Sequence, residues 1–271
     1  MKNSKKITTG IALIVLMTAH SVFANPHWTY EIDTDTAVLD GQNHWAEIID
    51  PTSSAPIPLN YPYAECGIGQ KQSPINISTP LTNQAKLNDI ILNYHANPLV
   101  VENNGHTIKV NESITSPGKM YIGNSLSHDE YTLLQYHIHS PGEHTVNGLS
   151  YPMEIHFVHG TPDGKLAVIG VVVQPGAHNN ELQKILDNAP TTVTTNSPEN
   201  VFIDPRGLDT SHYVSYAGSL TTPPCTEGVN WYVLTTPIEA SDAQVASFQS
   251  FFTDNARQTQ NLNGRVANLK K

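Results

Sequence analysis

The sequence predicts a single, sheet-dominated α+β domain, and three observations predict it. Short β-rich runs recur from residue 87 onward, separated by turn residues. One run, Leu166-Ala167-Val168-Ile169-Gly170-Val171-Val172-Val173, is apolar on both faces and reads as a central strand. Only two stretches read as helix, both short. No internal repeat and no linker divides the chain.

Taken in order, residues 1–24 read as a secretory signal. Lys2, Lys5 and Lys6 precede an apolar run from Ile11 to Met17, too short to span a membrane, and Val22-Phe23-Ala24 offers a cleavage site. The domain is then 25–271, and the product is exported, periplasmic or secreted. Residues 25–65 read as irregular, broken by Pro51, Pro56, Pro58 and Pro62, with the Trp28, Tyr30 and Trp45 rings packed on the main body. Strand runs follow at Ile90 to Tyr94, Leu99 to Glu102 and His106 to Val110, the last two joined by the turn Asn103-Asn104-Gly105. Further runs cover Tyr131 to His139, Tyr151 to His159, Leu166 to Val173 and Val229 to Thr235. Thr191 to Asn200 reads as a surface loop. Asn180 is placed to cap a helix bearing Leu182, Ile185 and Leu186, stopped by Pro190. Ser241 with Gln244 resembles a capping box ahead of Val245, Phe248 and Phe252.

Charge excludes one class of partner. Without the three leader lysines, 11 basic side chains face 24 acidic ones, a formal −13. Nucleic acid needs Lys and Arg for its phosphates, so none is expected. No other apolar run is long enough to cross a membrane. Cys66 and Cys225 are an even pair in an exported chain, which favours one disulfide, two buried thiols being the alternative. Such a long closed loop contributes roughly 4–5 kcal/mol in the chain-entropy model.

The histidines carry the chemistry. His137 and His139 lie two apart in a strand-like run, so they project from one face. The next strand offers His156 or His159. Gln135 precedes His137 by two, and Glu154 precedes His156 by two. Each is placed to hold an imidazole in one tautomer, as metal ligands require. His159 lacks such a neighbour, which favours His156. Three imidazoles with no nearby Cys suit a catalytic zinc site with an open position.

Four stretches resemble the α-class carbonic anhydrases: Gln70-Lys71-Gln72-Ser73-Pro74-Ile75-Asn76-Ile77; Gln135-Tyr136-His137-Ile138-His139; Glu143-His144-Thr145-Val146-Asn147-Gly148 with Met153-Glu154-Ile155-His156-Phe157-Val158-His159; and Tyr216-Ala217-Gly218-Ser219-Leu220-Thr221-Thr222-Pro223-Pro224-Cys225. They occur in the family's order. The resemblance implies a central, mostly antiparallel twisted sheet with zinc at the bottom of a conical cleft. It assigns His137, His139 and His156 as zinc ligands, and Gln135, Glu154 and His144 as the groups behind them. It implies reversible hydration of CO2 to bicarbonate and a proton by a zinc-bound hydroxide, with esterase activity as a side reaction.

In that resemblance Thr221 and Glu143 orient the hydroxide, and Thr222 contacts bicarbonate. Val158, Val168, Leu220, Val229 and Trp231 form the CO2 wall; by residue type alone they are ordinary core. His106 matches the shuttle that exports the proton, with Asn104 and Tyr30 in its water network. Lys109 departs from the family's usual amide and is expected to lower the pKa of His106. The cysteines fall where secreted bacterial members carry a disulfide. Sulfonamides and anions are implied as inhibitors, and a monomer or homodimer as the assembly. A catalytically silent binding module is the alternative; such members typically lose a zinc histidine, and all three stand here.

Overall fold

The computed structural model describes residues 26–33, 39–53, 60–79, 82–124 and 127–270. The proposed signal, residues 1–24, lies outside them, as do Pro56 and Pro58. A twelve-stranded sheet organises the domain. Its middle runs Ile108–Asn111, Ser127–His139, Met153–Gly160, Leu166–Pro175, Glu227–Ala240 and Tyr213–Ser219, each bonded to the next. Leu166–Pro175 is parallel to Glu227–Ala240, and Asn83–Gln84 is parallel to Asn268–Lys270; the sheet's other pairings are antiparallel. The expected sheet-dominated, mostly antiparallel architecture is therefore what the chain adopts.

The doubly apolar run is central because both its faces are covered. Ala167, Ile169, Val171 and Val173 enter the larger core, with Leu182, Ile185 and Phe248 from the helices. Val168 points the other way, into a second cluster with Val158, Trp231 and Tyr216. Each such Val or Ile contributes about 1.5–3 kcal/mol on full burial.

A short helix, Glu65–Ile68, was not expected. The first of the two expected helices is Asn180–Asn188, and its cap is Asn179 rather than Asn180: the Asn179 side chain accepts the N–H groups of Glu181 and Leu182. Asn180 already has helical backbone, so the preceding residue is the one free to turn back. The second helix, Asp242–Gln249, has the expected capping box at Ser241 and Gln244. The hairpin Val101–Asn103 to Ile108–Asn111 forms as expected, with Gly105 at φ +89°. Thr194–Asn196, expected in a loop, pairs with Val101–Asn103 as a strand.

Trp28, Tyr30 and Trp45 meet edge to face and pack beside Tyr63 and the cysteines. Cys66 and Cys225 are disulfide-bonded across 159 residues of sequence. Among the described residues, no helix is long and apolar enough to cross a membrane.

Candidate metal centre

Strand pairing builds the site. Ser127–His139 and Met153–Gly160 are antiparallel neighbours, with His156 opposite His137 and Glu154 opposite His139. Alternation along each strand puts Gln135, His137, His139, Glu154 and His156 on one sheet face. The ring centroids of the three histidines lie 4.6 to 5.3 Å apart. One nitrogen from each lies within 4.8 Å of the other two.

Each imidazole has one nitrogen committed elsewhere. His137 Nδ1 donates to Gln135 Oε1 at 2.9 Å, His156 Nε2 to Glu154 Oε1 at 3.0 Å, and His139 Nδ1 to the Asn255 carbonyl at 2.6 Å. Those bonds put the proton on the committed nitrogen and turn a bare lone pair toward the shared point. His139 Nε2 is buried and has no hydrogen-bond partner among the described residues. A polar atom so placed is expensive to leave unmatched. The donor set therefore fits a cation that takes three imidazoles. Burial lowers the pKa of all three, with His139 brought to about 4, so the neutral ligand form is favoured.

Two other histidines are accounted for. His144 is a possible metal partner of Glu154 and His156 by distance. Both its nitrogens are taken, Nδ1 by Glu154 at 2.7 Å and Nε2 by the Tyr216 hydroxyl at 2.7 Å. Burial pushes the Glu154 carboxyl up, but His144 and His156 together hold it well below the usual range. His159 faces the opposite core, where its Nε2 meets the Tyr94 hydroxyl at 2.5 Å.

Glu143 is buried beside the site, its carboxyl 3.5 Å from His139 and 3.7 Å from His156. Its Oε1 accepts the Arg257 backbone N–H at 2.8 Å. Burial pushes its pKa up to about 7. Thr221 comes close enough to pull that value down, yet Oε2 has no partner of full hydrogen-bond geometry among the described residues. Thr221 is buried; Thr222 is half-buried, its carbonyl accepting the Cys225 N–H. Val158, Val168, Val229 and Trp231 form one buried cluster, with Leu220 packed on it. Val158 lies opposite Val168 and Val168 opposite Trp231, so the row crosses three strands beside His156. The Trp231 ring stands edge-on to His156 at 4.8 Å.

His106 is half-buried and stacks on Trp28, centroids 3.7 Å apart and planes 6° from parallel. Asn104 Oδ1 accepts the N–H groups of His106 and Thr107, which leaves only its amide N–H groups to meet water. Tyr30 is buried, its hydroxyl without a partner among the described residues and its ring edge-on to His139 at 6.4 Å. The expected role of Lys109 needs correction. The His106 pKa is lowered, first by burial and then by His27. Lys109 is paired with Glu102 at 3.0 Å and lies opposite His137, whose pKa it helps to lower.

Asn255 and Arg257 escaped the sequence reading. Both hold site residues through backbone atoms, which leave no signal in side-chain identity. The Arg257 side chain also donates to Gln72, Ser73 and Cys66, tying Glu143 to the disulfide.

A sheet face with three converging imidazoles and a buried carboxyl has the makings of a metal-dependent enzyme. Residues 41–270 match the family model of the eukaryotic-type carbonic anhydrases. A carbonic anhydrase from Nostoc sp. is 40% identical over 83% of this chain and 81% of its own. The α-carbonic anhydrase of Thermovibrio ammonificans, solved with the inhibitor sulfanilamide, superposes with a TM-score of 0.75 at 36% identity, covering 89% of this chain and 98% of that one. Dioscorin, solved with ascorbate, gives 0.76 at 27% identity over 91% and 98%. The chain belongs to the α-class (eukaryotic-type) carbonic anhydrase family. It is an enzyme of that class, and CO2 hydration is its reaction.

Proposed function

We propose that His137, His139 and His156 hold one zinc ion and that the protein hydrates CO2 there after export. The observation that carries this reading is the buried, unpartnered His139 Nε2, aimed with two other imidazole nitrogens at one point. Zinc so held supplies Lewis acidity that brings a water's pKa toward neutrality, an effect for which this enzyme family is itself the standard example.

The protein's own groups supply the rest. With Glu143 Oε1 engaged by Arg257, Oε2 is left for the Thr221 hydroxyl proton. A hydroxyl that donates to a carboxylate turns its lone pairs outward, so Thr221 selects a donor in front of it and orients what it accepts. Val158, Val168, Leu220, Val229 and Trp231 exclude water and offer apolar surface to CO2. Thr222 contacts bicarbonate. His106, neutral near pH 7 because its pKa is lowered, takes the product proton and passes it to buffer, with Tyr30 and Asn104 in the path.

Sulfonamides and small anions are expected to compete for the same place, and ester hydrolysis to accompany hydration. The disulfide suits an oxidising compartment, in keeping with a signal at residues 1–24 and a domain from residue 25. The test is metal analysis with stopped-flow CO2 hydration on wild type and His139→Ala. One zinc per chain and hydration are expected in wild type, both lost in the variant. A zinc-replete wild type with no hydration above buffer overturns the reading in favour of a binding module.

A further inference from the structure

Behind His156 runs a line of buried hydrogen bonds that leaves the metal centre and ends in another part of the chain. Glu154 Oε1 accepts from His156 Nε2 at 3.0 Å and from His144 Nδ1 at 2.7 Å, while Oε2 accepts the His144 backbone N–H at 2.8 Å. On the far side of the His144 ring, Nε2 meets the Tyr216 hydroxyl at 2.7 Å. Tyr216 donates in turn to Ser73 Oγ at 2.9 Å. Ser73 is fixed by a reciprocal pair: its N–H donates to Ser219 Oγ at 2.9 Å, and the Ser219 N–H donates to Ser73 Oγ at 3.0 Å. From His156 to Ser219, each residue of the line is at most 3% exposed.

The bonds fix where the protons sit. Burial raises the Tyr216 pKa well above its ordinary value, so the hydroxyl keeps its proton. That proton goes to Ser73, which turns a lone pair of Tyr216 Oη toward His144 and makes Nε2 a donor. Glu154 is a carboxylate and only accepts, so His144 gives it the Nδ1 proton as well. The His144 ring is thereby gripped at both nitrogens, in a fully buried pair with Glu154. Removing one grip leaves a buried N–H unmatched, which is costly enough to turn the ring.

We infer that Tyr216 is a positioning residue for the metal centre: by holding His144 it fixes Glu154, and Glu154 fixes the tautomer and tilt of His156. The inference rests on the reading of His156 as a zinc ligand. Strand alternation supplies a control. Tyr216 lies opposite Trp231 and stacks on it, on the metal side of the sheet, whereas Tyr213 has the opposite parity and enters the other core, where its hydroxyl donates to the Asn88 carbonyl at 2.6 Å.

Tyr216→Phe removes the hydroxyl and keeps the ring on Trp231; Tyr213→Phe makes the same change in the same strand, away from the metal centre. Groups directly behind a ligand are worth about 10- to 100-fold in metal affinity, and one step further back the lower end is expected. Chelator competition near pH 7 should therefore show zinc bound about tenfold more weakly by Tyr216→Phe, and as tightly as wild type by Tyr213→Phe. In the metal-free wild type, NMR of the imidazole N–H groups should show both His144 protons protected from exchange with water, with the Nε2 proton unprotected in Tyr216→Phe. Wild-type zinc affinity in Tyr216→Phe, equal weakening in both variants, or a wild-type His144 without an Nε2 proton each overturns the role of Tyr216 alone. A wild type that takes up no zinc overturns the metal reading and this inference with it.

Discussion

His159 should make the protein acid-labile in a way that can be isolated from the metal site. Its ring is fully buried; Nδ1 faces the Ala167 carbonyl at 3.3 Å and Nε2 the Tyr94 hydroxyl at 2.5 Å. That pattern suits the neutral ring, with Nδ1 donating and Nε2 accepting. Burial depresses its pKa from 6.5 to about 4. A base whose pKa is lower folded than unfolded binds protons preferentially when unfolded, so stability falls as pH drops below 6.5 and levels off below about 4. Linkage over that window gives a loss of about 2 kcal/mol near pH 5 and about 3 kcal/mol near pH 4. The perturbation is His159→Gln, which cannot titrate. Urea unfolding of both metal-stripped proteins, near pH 7 and near pH 5, measures it. Wild type should lose about 2 kcal/mol more than the variant over that interval, while slopes from the other histidines cancel in the comparison. An unchanged gap between the two proteins would refute the buried neutral His159.

Three further outcomes are expected. In Gly170→Ala the new Cβ would stand 2.8 Å from Glu154 Oε1, displacing the carboxylate that holds His156; zinc affinity should fall about 10- to 100-fold in a chelator competition, and equal affinity counts against that role for Glu154. Trp28→Ala uncovers His106 and should raise its pKa toward 6.5 in an NMR titration, while Lys109→Gln leaves it in place; a shift in the lysine variant alone would reinstate Lys109 as the cause. Cys66→Ser opens a 159-residue loop and should cost up to about 5 kcal/mol in urea unfolding, with a loss below about 1 kcal/mol showing that the unfolded chain gains little freedom.

The clustering of the candidate ligands was legible because strand alternation has a period of two, and those residues obey it. His137 and His139 share a face, and Gln135 and Glu154 sit at the same spacing before their histidines. His159, three residues after His156, has the opposite parity and goes to the other core. What could not be read acts through the backbone or across long sequence intervals. Asn255 lies 116 residues from His139 and offers only a carbonyl. The effect of Lys109 falls on His137 and not on His106 because the strand register, which only pairing defines, sets Lys109 opposite His137 and beside Glu102. The strand Tyr213–Ser219 was missed because small residues at Ala217, Gly218 and Ser219 obscure its alternation. Gly218 is small for a reason: a Cβ there would clash with Ser73 Oγ.

The same division of labour separates holding the metal from orienting what binds beside it. The three candidate ligands sit on two adjacent strands in the middle of the sheet, locked by continuous pairing. Glu143 and Thr221 lie instead just past strand ends, 78 residues apart, and meet through a scaffold outside the sheet. Arg257 bonds Glu143 through its backbone, and Gln72, Ser73 and Cys66 through its guanidinium. Gln72 in turn donates to the Cys225 carbonyl, four residues from Thr221, and the disulfide closes the ring. Damage to this scaffold should therefore loosen Glu143 and Thr221 before it loosens the candidate ligands. Cys66→Ser is then expected to lose CO2 hydration rate while retaining zinc, whereas Gly170→Ala loses zinc first; parallel loss of both in Cys66→Ser would show that the Glu143–Thr221 pair and the candidate ligands are one cooperative unit.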